Sequence, residues 1–172
     1  MAAFVSKVGR WRDPDKRVVQ RGIDRAEYPF SKPAGRIHEL RDALSQTMWD
    51  DVGVLRHRAA MEQGLQSIAS HRAALSEMGV ADGDRRYNVT WHDWLNMDSL
   101  VDISKVIAVS ALARENSRGA HFREDFPGEG DLASSTFTVA RLQGERIELT
   151  ERPVEFTIVR PGQSLLGKVA AE

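Results

Sequence analysis

The sequence contains no cysteine among its 172 residues. A chain without cysteine cannot form a disulfide, a thiolate metal site or a thiol nucleophile, so its folding depends on noncovalent packing. It also lacks the run of about 18 apolar residues that a membrane-spanning helix needs, and its first residues turn polar too soon for a secretion signal. We therefore expect a cytoplasmic protein that does not insert directly into a membrane.

An excess of one charge is missing as well, because 24 Lys and Arg residues are matched by 25 Asp and Glu residues. The net charge of −1 gives no general attraction to nucleic acid or to an anionic membrane. The charges are unevenly placed, however, since residues 1–36 contain nine basic and four acidic side chains. Two interpretations stay open: a basic arm that docks on an acidic neighbour and, as the commoner case, a solvent-exposed helix face.

Hydrophobic residues at 41% and charged residues at 28% are ordinary values for a globular protein. A chain of this length can bury one substantial core but scarcely two. We predict three segments: an N-terminal linker with a short helix over residues 1–35, a helical bundle over 36–127, and a β-hairpin with a tail over 128–172.

Apolar residues recur at helical spacing in four places. Helices are predicted from Asp13 to Pro29, from Ile37 to Trp49, from Leu55 to Met78 and from Trp91 to Ala113. The pair Asp13-Pro14 is typical of an N-cap followed by proline in the first turn. Gly79 stands where a left-handed C-terminal cap is expected, and the fourth helix, the most apolar, is expected to lie at the centre.

The period of the pattern changes to two after Pro127. Residues 136–142 and 146–149 alternate around Gln143-Gly144, which predicts a β-hairpin, and residues 154–159 could add a third strand. The predicted fold class is therefore mainly α, a three-to-four-helix bundle with a small C-terminal antiparallel β-hairpin or three-stranded sheet.

The stretch Ser117–Pro127 places charged, imidazole, glycine and aromatic groups together just after the fourth helix. One interpretation is a capped helix end, because basic side chains stabilise the carbonyls there and Gly119 suits a positive φ. In an extended chain, Ala120, Phe122, Glu124 and Phe126 would point one way, and His121, Arg123 and Asp125 the other. Two aromatic anchors would then be buried beside an accessible polar row that could bind an anion or a partner.

This stretch closely resembles a segment near the C-terminus of the succinate dehydrogenase/fumarate reductase flavoprotein family, and Met48–Arg56 matches another segment of the same domain. The resemblance implies the C-terminal domain of that family, with Met48 and Trp49 buried and Gly53 permitting a bend. The residues expected to contact another domain or an anion are Arg114, Ser117, Arg118, His121, Arg123, Asp125 and Arg56. Where the family has glutamate before the serine, this chain has Asn116, with Glu115 one place earlier, so a salt bridge there is expected to be absent or shifted.

The resemblance also implies a part in dicarboxylate oxidoreduction with FAD in the full-length protein, although no catalytic or cofactor-binding residue can be assigned here. Gly128-Glu129-Gly130 has Ala133 where a nucleotide-binding loop needs its third glycine, so no cofactor is expected in this chain. The implied partners are the flavin-binding and capping domains, of the same polypeptide or of a separate subunit, and an iron-sulfur subunit, with peripheral attachment to the inner membrane through such partners.

Other chemistries find little support in the sequence. The five histidines lack metal-ligand spacing, and Ser117, His121 and Asp125 are not spaced as a hydrolytic triad around a nucleophile elbow. The alternative function is a free-standing or split-subunit interaction module that holds a partner through the basic N-terminal helix. If the polar row is accessible, replacing Arg118 or Arg123 by alanine should leave the stability of the isolated domain nearly unchanged.

Overall fold

Within the residues that it describes, the computed structural model of the protein contains four α-helices, one short 3-10 helix (Tyr28–Ser31), two very short parallel strands and a β-hairpin. The structure describes residues 13–144 and 146–163, together with Ala3, Ser6, Lys7 and Gly9, so parts of the predicted N-terminal linker and C-terminal tail lie outside the described residues. The elements are α1 Lys16–Glu27, α2 Ile37–Asp50, β1 Leu55–Arg56, α3 Arg58–Ser76, α4 Val89–Ala113, β2 Phe122–Arg123, β3 Thr136–Gln143 and β4 Arg146–Pro153.

Helix α1 begins later than the sequence predicts. Asp15 is the N-cap, and its carboxylate accepts a hydrogen bond of 2.9 Å from the Arg17 amide. Pro14 therefore precedes the cap, because the second aspartate supplies the capping oxygen in place of Asp13. No residue of α1 is buried, and the helix is tied to the bundle near its end, where Arg25 contacts Asp98 of α4.

Helices α2, α3 and α4 enclose the core. The buried apolar residues include Leu44 of α2, Ile68 of α3 and Met97 of α4, all below 5% exposure. Trp94 is buried among them, and its indole N–H donates to the Met78 carbonyl at 2.8 Å. Helix α4 contacts α2, α3 and β3, which confirms the central position predicted for it.

Gly79 does not form the left-handed cap that the sequence suggests, because its φ is not positive and Glu77 is the C-cap of α3. A close approach of the backbone requires glycine here instead. A Cβ atom would lie 2.3 Å from the Pro29 carbonyl oxygen and 2.2 Å from that of Lys32. The amide of Gly79 donates to the Pro33 carbonyl oxygen at 2.7 Å, which fixes the loop before α2 against the end of α3.

The turn after α2 lies at the predicted place, and a Cβ atom on Gly53 would meet the Trp49 carbonyl oxygen at 2.3 Å. The predicted burial of Trp49 is wrong, since the residue is 75% exposed. The buried face of α2 runs through Ile37, Leu40 and Leu44 toward half-buried Met48, and Trp49 lies about 100° around the helix from Met48. Val52, in the turn, enters the core instead.

Strands β3 and β4 form an antiparallel hairpin in which Gln143 pairs with Arg146, and Gly144 has a φ of +62° in the turn. Residues 154–159 form no strand, although the Val154 amide donates to the Ser135 carbonyl oxygen at 2.9 Å. The hairpin alternative is therefore confirmed and the three-stranded alternative is wrong. The predicted mainly α fold, a helical bundle with a small C-terminal sheet, is confirmed.

Candidate functional site

The segment after α4 turns back on itself and runs beside the turn that follows α2. The Arg118 amide donates to the His121 carbonyl oxygen at 2.8 Å around Gly119, whose φ is +57°. Strand β2 then pairs in parallel with β1, with Leu55 opposite Phe122. The two family-like segments, far apart in sequence, are thus hydrogen-bonded neighbours.

The guanidinium of Arg123 is the buried centre of this segment, because the residue has no solvent exposure. Its Nη1 atom donates to three carbonyl oxygens at the end of α4, those of Ala111, Leu112 and Arg114, at 3.2, 3.0 and 3.0 Å. The last carbonyls of a helix have no partner within the helix and carry partial negative charge, so a cation there is favourable. Arg123 therefore caps the C-terminus of α4.

The remaining donors of Arg123 bind Asp125. Arg123 Nε and Nη2 lie 2.7 Å from Asp125 Oδ1 and Oδ2, a two-pronged ion pair. The hydrogen bonds from Arg123 hold the pKa of the Asp125 carboxyl far below its ordinary value, and the same pairing raises the pKa of Arg123. The Arg123 guanidinium also lies 4.9 Å from the centre of the Phe126 ring. Arg123 and Asp125 are two residues apart in an extended chain, so their side chains lie on the same face. Their opposite charges therefore neutralise each other.

Ser117 closes the loop from the other side. Its hydroxyl donates to the Phe126 carbonyl oxygen at 2.8 Å and accepts a bond of 2.8 Å from the Arg123 amide. The amide of Ser117 donates to the Gly128 carbonyl oxygen at 2.9 Å. The side chain is therefore engaged as a structural crosslink, and the hydroxyl has no bond to His121.

The expectation of an accessible polar row with buried aromatic anchors is wrong. His121 is 7% exposed and Arg123 is fully buried, whereas Phe122 is 39% exposed. The two faces alternate as expected, but the helix end attracts the charged face inward because its carbonyls need donors. Among the described residues, no buried side-chain polar atom lacks a hydrogen-bond partner.

The His121 imidazole links the loop to Arg56. Arg56 Nη1 lies 2.7 Å from His121 Nδ1, and His121 Nε2 lies 3.3 Å from the Arg114 carbonyl oxygen. Because a guanidinium can only donate, Nδ1 accepts and the proton resides on Nε2. Burial lowers the pKa of His121, and the charges of Arg114, Arg56 and Arg123 act in the same direction against the hydrogen bond to the carbonyl. The histidine is therefore held neutral.

The side chains of Arg118 and Arg114 have different hydrogen-bond partners. Arg118 donates to Ser135 Oγ at 2.8 Å and to the Asp131 carbonyl oxygen at 2.9 Å, which fastens the loop before the hairpin. Arg114 lies 3.4 Å from Asn116 Oδ1. Glu115, which the sequence offers in place of the family's glutamate, is paired with Arg58 at 2.7 Å. Glu115 therefore forms its salt bridge with the first residue of α3.

A cleft of about 610 Å³ opens beside these residues, between the end of α4, the loop and the start of the hairpin. The cleft is lined by cationic side chains and by apolar side chains, which include Ile107 and Phe137. No Asp or Glu of the described chain lines this cleft. Of the seven residues singled out in the sequence, Arg56, Arg114, Arg118 and His121 reach the cleft, whereas Ser117, Arg123 and Asp125 serve the loop.

A second polar cluster was not anticipated from the sequence. Asp98 of α4, 6% exposed, is bound by Arg25, at 2.7 Å from Nε, and by the guanidinium of Arg72. Arg72 also bonds Asp102 at 2.5 Å. Asp98 could have indicated this cluster from the sequence, because an aspartate between the core residues Met97 and Val101 requires a cationic partner. The cluster joins α1, α3 and α4.

The described residues contain no group of three or more His, Cys, Asp or Glu side chains placed to hold a metal ion. Within the same part of the chain, none of the helices is both long and apolar enough to cross a membrane.

Comparisons with known proteins place the chain. A family model described as the C-terminal part of fumarate reductase flavoprotein matches residues 41–165. The succinate dehydrogenase flavoprotein of Rickettsia bellii is 29% identical over 150 residues, which cover 84% of this chain and 25% of that protein. The corresponding flavoprotein of Coxiella burnetii succinate dehydrogenase is 30% identical over 152 residues, 88% of this chain and 22% of that protein.

The fold is shared as well. Mycobacterium smegmatis Sdh1 in complex with UQ1 superposes with a TM-score of 0.75 and 25% identity, covering 91% of this chain and 27% of that chain. The chain thus spans about a quarter or less of the length of the curated relatives named here.

Proposed function

Because the chain belongs to the C-terminal domain family of fumarate reductase and succinate dehydrogenase flavoproteins, we propose that it serves a FAD-dependent dicarboxylate oxidoreductase as a packing domain. In this role it binds the flavin-bearing and capping portions and has no reacting group of its own. The observation that carries the proposal is the family match over residues 41–165, which includes both segments that meet at β1 and β2.

The loop Gly128-Glu129-Gly130 does not fit FAD. Gly128, Glu129 and Gly130 lie in a loop whose carbonyl oxygens accept bonds from Ser117 and Arg118, and no helix follows them among the described residues. A dinucleotide loop instead directs backbone N–H groups and a helix N-terminus at the phosphates. We therefore assign the flavin to other parts of the flavoprotein and derive no chemical step through it.

The geometry supports a mechanical role. The Arg123 cap, the Asp125 ion pair and the Ser117 crosslink fix the path of residues 114–127, so the outer surface of this loop has one defined shape. A rigid surface loses little conformational entropy on binding, which favours a permanent contact between domains. Since the relatives are named as flavoprotein subunits, we further propose that the whole protein works in an assembly with an iron-sulfur subunit, and that any membrane attachment is peripheral and through partners.

Co-expression tests this function. The chain should be co-expressed with the flavin-bearing portion of the flavoprotein, whether the source genome encodes that portion in the same reading frame or in a separate one, and the mixture separated by size exclusion. We expect one yellow complex that reduces fumarate or oxidises succinate, and a colourless, inactive chain when it is produced alone. A flavin spectrum or turnover from the chain alone, or a failure of the two polypeptides to associate, would contradict the proposal.

A second candidate is an interaction module that acts through α1. The observation in its favour is that α1 buries none of its residues and leaves Val18, Val19 and Ile23 about half exposed. Changing Val19 to serine should then abolish partner binding while the bundle keeps its stability. If Val19→Ser binds the flavin-bearing polypeptide as the unchanged chain does, this second candidate is wrong.

A further inference from the structure

The cleft beside α4 is lined by both apolar and cationic side chains, and such surfaces are usually covered in an assembled protein. Its apolar wall leaves Ile107 42% exposed and Phe137 49% exposed. Arg56 and Arg114 line the same cleft. A surface that combines apolar and cationic side chains matches a segment that carries both an apolar and an anionic side chain.

Arg56 and Arg114, two cations of this cleft, make no salt bridge with any carboxylate in the described part of the chain. Glu115, the nearest acidic residue in sequence, is paired with Arg58. Arg118 differs from them, because the pKa of Asp131 is lowered by the hydrogen bond from the Ala133 amide and also by the charge of Arg118. Burial and the charge of Arg114 lower the pKa of Arg56, so the two guanidiniums repel each other.

One of these cations is already oriented. Arg56 is held by the Val52 carbonyl oxygen at 3.2 Å through Nε and by His121 through Nη1. A guanidinium fixed in this way has lost its rotamer freedom before a ligand arrives, and it can present further N–H groups to a carboxylate. His121 thus acts as a positioning residue for Arg56.

We propose that this cleft receives an acidic segment of the flavin-bearing portion, with a carboxylate between Arg56 and Arg114 and an adjacent apolar side chain against Ile107 and Phe137. The inference rests on the proposed function and names the contact through which the packing occurs. Charge complementarity identifies the occupant, and the apolar wall argues for a peptide segment, because a small free anion would leave Ile107 and Phe137 in water.

The first test uses a peptide probe on the purified chain. The blocked peptide Gly-Glu-Phe-Glu-Gly is titrated while amide shifts are followed by NMR, with Gly-Gln-Phe-Gln-Gly, succinate and inorganic phosphate as separate titrants. We expect shifts at Arg114 and Phe137, no binding of the glutamine peptide, and affinity about tenfold weaker for Arg114→Gln, as the loss of a charge-assisted contact predicts. Equal or tighter binding of succinate or phosphate would overturn the proposal in favour of a small-anion site.

Two further variants check this result, one as a control and one as a second probe of the cleft. Arg17→Gln removes the same charge from exposed α1 and should bind the peptide as the unchanged chain does. Phe137→Ser probes the apolar wall on the hairpin, away from the bundle core, and should also weaken binding several-fold. If Arg17→Gln loses as much affinity as Arg114→Gln, the attraction is a general charge effect and the cleft is not the site.

The second test separates this inference from the proposed function. In the co-expression experiment, Arg114→Glu should prevent the complex, whereas Arg17→Glu should not. A complex that forms with the unchanged chain and equally well with Arg114→Glu overturns the cleft and leaves the packing function in place. If the unchanged chain forms no complex, the packing function itself fails and the cleft proposal falls with it.

Discussion

Arg114 and Arg123 are nine residues apart, follow the same helix and carry the same charge, yet their surroundings are opposite. Arg123 is fully buried and has three carbonyl oxygens and a carboxylate around it. Arg114 lines an open cleft, and among the described side chains its guanidinium donates a hydrogen bond only to the Asn116 amide oxygen. A charged residue in a family-like motif can therefore serve the fold or a partner, and its partners, rather than its identity, decide which.

The difference also divides the loop into two functional parts. The inner part, built on Ser117, Arg123 and Asp125, satisfies the end of α4 and fixes the path of the chain. The outer part, Arg56 and Arg114 with neutral His121, is left with excess positive charge.

Replacing Arg123 by alanine should have the largest effect, a loss of about 3 kcal/mol or more in the free energy of unfolding measured in urea. The change leaves Asp125 and the last carbonyls of α4 without their donors, and breaking one side of a buried ion pair typically has this effect. Arg17→Ala is the exposed control and should change stability by less than about 0.5 kcal/mol. A loss below about 1 kcal/mol for Arg123→Ala would mean that this arginine does not organise the loop.

Ser117→Ala should lower the free energy of unfolding by about 1 to 3 kcal/mol, because the Arg123 amide and the Phe126 carbonyl lose a buried partner. The exposed Ser134→Ala is the matched control. Denaturation in urea measures both. Equal stability of the two variants would show that the hydroxyl crosslink is unimportant.

The neutral state of His121 predicts a dependence on pH. Its pKa is lowered in the folded protein, so the unfolded chain takes up the proton first as the pH falls below about 6.5. Stability should therefore fall from pH 7.5 to pH 5.5, and less steeply in His121→Asn. Burial also lowers the pKa of His71, so some dependence should remain.

Thermal unfolding at both pH values measures this effect, with exposed His92→Asn as the control for removing an imidazole. An identical slope for His121→Asn and the unchanged chain would show that Arg56 and the helix end do not hold His121 neutral.

Arg114→Gln should have the smallest effect on the chain itself, a change of less than about 0.5 kcal/mol in the free energy of unfolding. The residue has no ion pair to lose among the described side chains, and its removal relieves repulsion with Arg56. A large destabilisation measured in urea would assign Arg114 to the inner part of the loop and erase the contrast with Arg123.

Much of the fold was accessible from the sequence because it depends on local patterns. The apolar spacing predicts α2, α3 and α4, and the alternation around Gly144 predicts the hairpin. The sequence did not show which face of the loop after α4 is turned toward the bundle. That orientation depends on the end of α4, whose carbonyls draw Arg123 inward, and on β1, which arrives from more than 60 residues earlier in the chain.

The same limit applies to Trp49 and Gly79. Val52 is buried where Trp49 was expected to be, and Gly79 is fixed by the carbonyl oxygens of Pro29 and Lys32; helical spacing alone reports neither arrangement. Arg123 and Asp125 did offer one signal, since opposite charges two residues apart in an extended chain can neutralise each other and be buried.

Arginine footprinting tests the central division most directly. The native chain is treated with phenylglyoxal, and the rate of modification at each arginine is followed by mass spectrometry, with a urea-unfolded sample as the reference. We predict that Arg114 reacts at least about tenfold faster than Arg123 in the native chain and at a similar rate in urea, in keeping with their different burial. Equal native rates at the two residues would contradict the account.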